Sequence, residues 1–196
     1  MKIIGLCGTS GSGKSTVGNY FSQKGIVWLD CDRIYHQLVA APSFCLEEIA
    51  NHFGSELIQG GVLDRKKLRE IVFSSDEKRA RLNQITHRHV LSELERQIAA
   101  LRLKGVAACV IDAPLFFEAN LDAWCDSVCA VVADEKTRLI RISKRDGISL
   151  DEARIRLNKQ TPQQELIRRS DYVIDNSADI KALYNQCDRV INKILS

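Results

Sequence analysis

The chain has 196 residues, enough for one domain with a real core and an insertion and too few for two full-sized domains. Its 28 basic and 25 acidic side chains leave a formal net charge of +3 and a pI near 8.5, too mild a balance to demand a nucleic-acid partner. The seven cysteines include no CxxC pair, and their odd number excludes a fully closed set of intramolecular disulfides.

Cys7, Cys109 and Cys129 lie in apolar strand-like runs, where a thiol packs as a small hydrophobe, so a reducing cytoplasm is the expected setting. The opening "MKIIGLCG" has too short an apolar run for a signal peptide. No stretch approaches a membrane span, so a soluble protein without a membrane partner is expected.

In chain order, "KIIGLC" (2–7) reads as a strand, followed by the loop "GTSGSGKS" (8–15) and a helix after Lys14. A second strand, "IVWLD" (26–30), precedes a gap over 31–107, far longer than a crossover helix needs, which implies an inserted helical subdomain. Within it Ser74 and Glu77 form a capping-box pattern. They open a long helix whose apolar face is Leu82, Ile85, Leu91, Leu94, Ile98 and Leu101, ending at Gly105. Strands "ACVID" (108–112) and "SVCAVVA" (127–133) follow. Ser149 with Glu152 starts another helix; Thr161, Pro162 and Gln164 start a third, with proline at the first helical position, before the strand "YVID" (172–175). The strand runs are almost continuously apolar rather than alternating, as in a parallel sheet buried on both faces. The predicted fold is a three-layer α/β/α architecture with a five-stranded parallel sheet and a helical insertion.

In such a sheet the strand carboxyl ends share one edge, outside which ligands bind. That edge would carry the glycine loop, Asp30 and Asp32, Asp112, Asp134 and Asp175. Strand-end aspartates also cap helices and turns, so each has a structural alternative.

"GTSGSGKS" fits G-x-x-x-x-G-K-[ST] in the context the motif requires, between a buried strand and a helix. Gly8, Gly11 and Gly13 let the backbone curl its amides inward onto phosphates, and the helix adds the positive end of its dipole. Lys14 would reach the β- and γ-phosphates and the Ser15 hydroxyl would hold Mg²⁺, with Asp112 of "VIDAP" as a second, Walker-B-like acid at the ion. The nearest match to a guanine-specifying Asn-Lys-x-Asp, "NKQT" (158–161), ends in Thr, which weakens a GTPase reading. A motor ATPase would need more chain. A small-molecule kinase fits the size, because it needs a nucleotide core, an acceptor-binding insertion and a cationic cover.

"LDCDR" supplies Asp30 and Asp32, and Asp32, further from the strand, is the candidate to orient or deprotonate an acceptor hydroxyl; its alternative role is to cap a helix near Arg33. Between 138 and 169 basic residues outnumber acids, and Arg138, Arg141 and Arg145 recur on one helical face, suited to holding phosphate oxygens. His87 and His89, two apart on a helix, point apart and are discounted as metal ligands. "RKKLR" (65–69) and "KRAR" (78–81) read as solvated surface. Phe116 and Phe117 read as core or as a wall for a flat ring.

The glycine loop, "DCD", "IDAPLFFE", "RISKRDGIS" and "YVIDNSAD", in this order and spacing, make the chain resemble the dephospho-coenzyme A kinases from about Lys2 to Asp179. The resemblance implies transfer of the ATP γ-phosphoryl group to the ribose 3′-hydroxyl of dephospho-coenzyme A, with Mg²⁺, as the last step of coenzyme A synthesis. Gly8 and Gly11 to Thr16 (Gly11, Ser12, Gly13, Lys14, Ser15, Thr16) would bind the ATP phosphates, and Asp32 would face the acceptor hydroxyl. Arg141 and Arg145 would act from the lid, and Asn176 would lie near the nucleotide base. One domain, 1–196, would comprise a core at about 1–33, 105–140 and 170–196, an acceptor-binding insertion at about 34–104 and a lid at about 141–169. The partners implied are ATP and dephospho-coenzyme A. Cys7, Thr9 and Ser10 depart from the family's frequent "GLTGGIGSGKS". "DCD" replaces the usual "DAD", and "DNSAD" lacks a glycine after the serine.

The rivals are a nucleoside, nucleotide or sugar kinase of similar core, and a nucleotide-dependent switch or regulatory binding protein.

Overall fold

The structure, a computed structural model, describes every residue except Ala41 and Ser74. It forms two compact units, Met1–Leu29 with Gly105–Ser196, and Asp30–Lys104.

The elements run β1 (Lys2–Cys7), α1 (Lys14–Gln23), β2 (Val27–Asp30), α2 (Cys31–Ala40), α3 (Phe44–Phe53), β3 (Ile58–Gln59), β4 (Val62–Leu63), α4 (Arg65–Phe73) and α5 (Asp76–Leu103). They continue with β5 (Ala108–Asp112), β6 (Ser127–Val132), α6 (Glu135–Asp146), α7 (Leu150–Asn158), α8 (Gln163–Arg168), β7 (Tyr172–Asp175) and α9 (Ile180–Leu195).

The main sheet has five strands in the order β2-β5-β1-β6-β7. All of β5, and all of β1 and β6 but their first residues, are buried, which is why these segments are apolar without alternation. The parallel register sets Leu6 beside Asp112 and Cys7 beside Ala130, while Val132 lies beside Asp175. The loop after β1 therefore emerges from the middle of the sheet, on the same edge as Asp112, Asp134 and Asn176. Ile4, Leu6, Val17, Phe21, Val110, Val131, Ile174, Leu183 and Ile191 are among the side chains that join β1, β5, β6 and β7 to α1 and α9 in one core.

In the second unit a separate core of Val39, Cys45, Leu46, Ile49, Leu57, Leu63, Leu68 and Ile85 is enclosed by α2, α3, α4 and α5. Gly60 and Gly61, with φ of 59° and 82°, turn β3 back onto β4 as a short hairpin, a two-glycine turn of the type that suits paired strands. Two-residue strands carry too little pattern for this hairpin to stand out in the sequence.

The expected capping residue Ser74 lies outside the described residues; the N-cap of α5 is Ser75, whose Oγ accepts from the Lys78 N–H. The full capping box expected at Ser149 and Glu152 is present at the start of α7. At α8 the reading is off by one position. Pro162 is the N-cap, with ψ of 138°, and makes no side-chain cap, while the Thr161 hydroxyl donates to Glu118 Oε1 at 2.9 Å.

Phe116 and Phe117 are core residues, 2% and 4% exposed, in an edge-to-face pair. The Arg169 guanidinium lies over the Phe117 ring, 3.9 Å from its centroid. The seven cysteines are thiols, all buried but the half-buried Cys125. Burial pushes the Cys125 thiol up to about 12 and those of Cys45 and Cys187 up to about 11, as expected of packing groups rather than nucleophiles.

A Cβ added at Gly5 would stand 2.2 Å from Phe116 Cζ, so β1 passes Phe116 with no room for a methyl group. Gly5→Ala is expected to cost about 1–3 kcal/mol by overpacking, read as a lower denaturant midpoint at an unchanged m-value.

Candidate active site

The phosphate-loop candidate begins where β1 ends. Gly11 and Gly13 have φ of 77° and 94°, a backbone region that a Cβ makes costly. Each is also crowded. A Cβ at Gly11 would stand 2.7 Å from the Arg138 carbonyl oxygen, and one at Gly13 would stand 2.1 Å from Asn176 Nδ2. The left-handed Gly13 is the N-cap of α1 and offers no side-chain cap, so the first N–H groups of the helix open toward the loop, where an anion can take them.

Lys14, the first residue of α1, places its ammonium 2.7 Å from Asp112 Oδ1 at the end of β5, with side chains 19% and 9% exposed. The carboxylate thus holds the lysine at the sheet edge beside the loop. Ser15 is exposed and Thr16 half-buried, and the Thr16 N–H returns to the Gly13 carbonyl at 3.0 Å. Ser12 is fully buried, and its hydroxyl finds no partner among the described residues.

The strand-end aspartates divide in role. Asp30 caps the start of α2, accepting the Arg33 N–H at 3.1 Å. Asp134 caps α6 through the Thr137 N–H at 2.8 Å, and the Thr137 hydroxyl helps hold its carboxyl below the usual range. Asp175 accepts from the Ser177 N–H and hydroxyl. Asp32 is exposed in the first turn of α2. The cap envisaged for it belongs to Asp30, and because α2 begins at Cys31 the two acids are not related by extended-strand alternation.

The arginines of α6 sit against the loop. Arg138 donates to Thr9 Oγ1 at 2.9 Å. Arg141 donates to the Gly11 carbonyl at 3.2 Å and the Asn176 carbonyl at 3.0 Å, and Arg145 donates to Ser10 Oγ at 3.2 Å. Asn176, 7% exposed, donates from Nδ2 to the Ser12 carbonyl at 2.8 Å. Its side chain supports the glycine loop. Gln160 and Asp146 were not singled out from sequence. Gln160 Oε1 accepts the Ser10 N–H at 2.9 Å, and Asp146 pairs with Arg145 and Arg156. The exposed glutamine carries no compositional signal, and Asp146 was read only as one acid in a basic run. His89 bonds Glu48 across α5 and α3, while His87 is exposed.

A glycine loop between a central parallel strand and a helix, its lysine on a neighbouring strand's aspartate and its rim lined by arginines, defines a P-loop phosphotransferase. The family model for dephospho-CoA kinase matches residues 2–182. The dephospho-CoA kinase of Carboxydothermus hydrogenoformans is 36% identical over 98% of this chain and 94% of its own length. That of Arabidopsis thaliana is 36% identical over 99% and 84%. The solved dephospho-CoA kinase from Campylobacter jejuni superposes with a TM-score of 0.73 at 28% identity, covering 98% of this chain and 96% of that one. The chain belongs to the dephospho-CoA kinase family. It is a kinase, with the five-stranded parallel P-loop fold expected from its sequence. Among the described residues no helix is long and apolar enough to cross a membrane.

Asn176→Ala removes the donor that holds the Ser12 carbonyl. Loss of one such bond costs about 1–3 kcal/mol, so ATP affinity measured by calorimetry is expected to fall about tenfold with the far-ultraviolet circular dichroism unchanged.

Proposed function

We propose that this chain transfers the γ-phosphoryl group of ATP to the ribose 3′-hydroxyl of dephospho-coenzyme A, yielding coenzyme A and ADP. One observation carries most weight beside the family match: the Lys14 ammonium, held by Asp112 at the mouth of a loop too tight for side chains at Gly11 and Gly13. An anion laid in that cradle meets the N-terminal amides of α1 and Lys14. The β- and γ-phosphates of a nucleotide fit these groups.

Mg²⁺ fits the residues present. The Ser15 hydroxyl and Asp112 carboxylate are hard oxygen donors on one edge, and among the described residues no cluster of three or more His, Cys, Asp or Glu forms a metal cage. That donor set suits an ion that draws most of its shell from water and phosphate. When bound, the ion supplies neutralising charge to the phosphate oxygens. Lys14 then turns from Asp112 to the transferring group, Arg141 and Arg145 add charge from the lid side, and Asp32 orients or accepts the proton of the acceptor hydroxyl. The helical insertion (34–104) receives the acceptor, and the lid segment (141–169) excludes water, which suppresses hydrolysis. Buried thiols support a cytoplasmic setting.

ADP release from Mg·ATP is expected to rise strongly on adding dephospho-coenzyme A, with a product heavier by one phosphate; release that ignores the acceptor sinks the substrate assignment and turns the search to nucleosides and sugars. Lys14→Ala is expected to lower kcat/KM about 10²–10³-fold. Asp32→Asn is expected to lower kcat about 10²–10⁴-fold while calorimetric ATP affinity stays within about twofold; full turnover in Asp32→Asn removes that residue from the chemistry.

A further inference from the structure

Ser10 stands in the loop, half-buried, and its backbone N–H and its hydroxyl are both taken by residues far along the chain. Its N–H donates to Gln160 Oε1 at 2.9 Å, and its Oγ accepts from Arg145 Nη2 at 3.2 Å. Gln160 follows the end of α7 and Arg145 lies in the last turn of α6, so one serine gathers two helix ends. Arg145 is also held by Asp146, which accepts from Nε at 2.7 Å and from the same Nη2 at 2.9 Å. Arg156 of α7 joins the same carboxylate. The guanidinium is thus held between a carboxylate on its own helix and a hydroxyl on the loop, although its side chain is 59% exposed.

We propose that Ser10 is a positioning residue for phosphoryl transfer, docking the ends of α6 and α7 onto the phosphate loop and setting Arg145 where it meets the transferring group. The inference rests on the reading that this loop holds ATP. A free arginine carries about 2 kcal/mol of rotamer entropy, so a loop-borne acceptor that fixes it before the reaction lowers the ordering left to do in the transition state. A hydroxyl suits the task because it orients the guanidinium without adding a second carboxylate to the one Asp146 already supplies, and because the Ser10 amide remains available to Gln160. Ser10 touches no reacting atom and acts through Arg145.

The test is steady-state kinetics of Ser10→Ala, Ser10→Gly, Ser10→Thr, Arg145→Ala and the Ser10→Ala/Arg145→Ala double variant, with Tm and the ratio of ADP formed to acceptor phosphorylated. Ser10→Ala and Ser10→Gly are expected to lower kcat about ten- to a hundredfold, to leave the acceptor KM within about twofold, and to raise the ADP ratio at an unchanged Tm. Ser10→Thr should recover most of the rate. The double variant should be no slower than Arg145→Ala alone, since the hydroxyl works through that arginine. Wild-type kcat in both Ser10→Ala and Ser10→Gly, or losses that multiply in the double variant, overturn the proposal. If one variant fails to fold, the other still decides. A wild-type protein that does not phosphorylate the acceptor defeats the underlying reading, an outcome distinct from an active wild type matched by its Ser10 variants.

Discussion

The nucleotide site depends on the left-handed turn at Gly13. With φ of 94° and the Asn176 amide pressed against its Cα, this residue ends the loop and starts α1 within one step. The same step aims the helix amides and Lys14 at one point. It needs support from both flanks, and the structure supplies it: Asn176 after β7 holds the Ser12 carbonyl, and Arg141 of α6 bridges the Gly11 and Asn176 carbonyls. Glycine adopts this turn without steric cost, and the bonds around it fix the turn in one place. Those bonds come from segments more than a hundred residues away in sequence.

The sheet is what makes that convergence possible. Because β1 lies between β5 and β6, the turn rises from the centre of the sheet, with Asp112 on one side and the β6–α6 and β7–α9 connections on the other. Asp134 caps α6 at the point where it leaves the sheet, and the Asp134 N–H donates to Ser177 Oγ. The connection leading into α6, which carries the arginines, and the loop that carries Asn176 are thereby tied to each other.

Much of this was legible in the sequence. The five strands stood out because burial on both faces leaves continuous apolar runs, and "GTSGSGKS" declared its geometry through glycines that only a curled backbone requires. Less legible were features decided by one residue of phase. Asp30 rather than Asp32 caps α2, because the helix starts directly after β2, and Pro162 stands one place earlier in its helix than the pattern implied. Least legible were the partners of the lid residues. Spacing showed that Arg138, Arg141 and Arg145 share a helix face but could not reveal that they meet Thr9, Gly11 and Ser10. Likewise, Asn176 reads as a loop residue until its contact with Ser12 is seen. The hydroxyls at Thr9 and Ser10, which depart from the common family pattern, become intelligible only as acceptors for those arginines.

The chemistry of those acceptors has one more effect. Arg138 and Arg141 bond to a hydroxyl and to backbone carbonyls, and among the described residues neither is in an ion pair with a carboxylate. Neutral acceptors fix a cation's place while leaving its charge uncancelled, so these two arginines contribute a positive field beside the loop. A highly charged anion diffusing nearby is drawn along that field. Attraction of that kind acts on the rate of encounter and weakens as ionic strength rises.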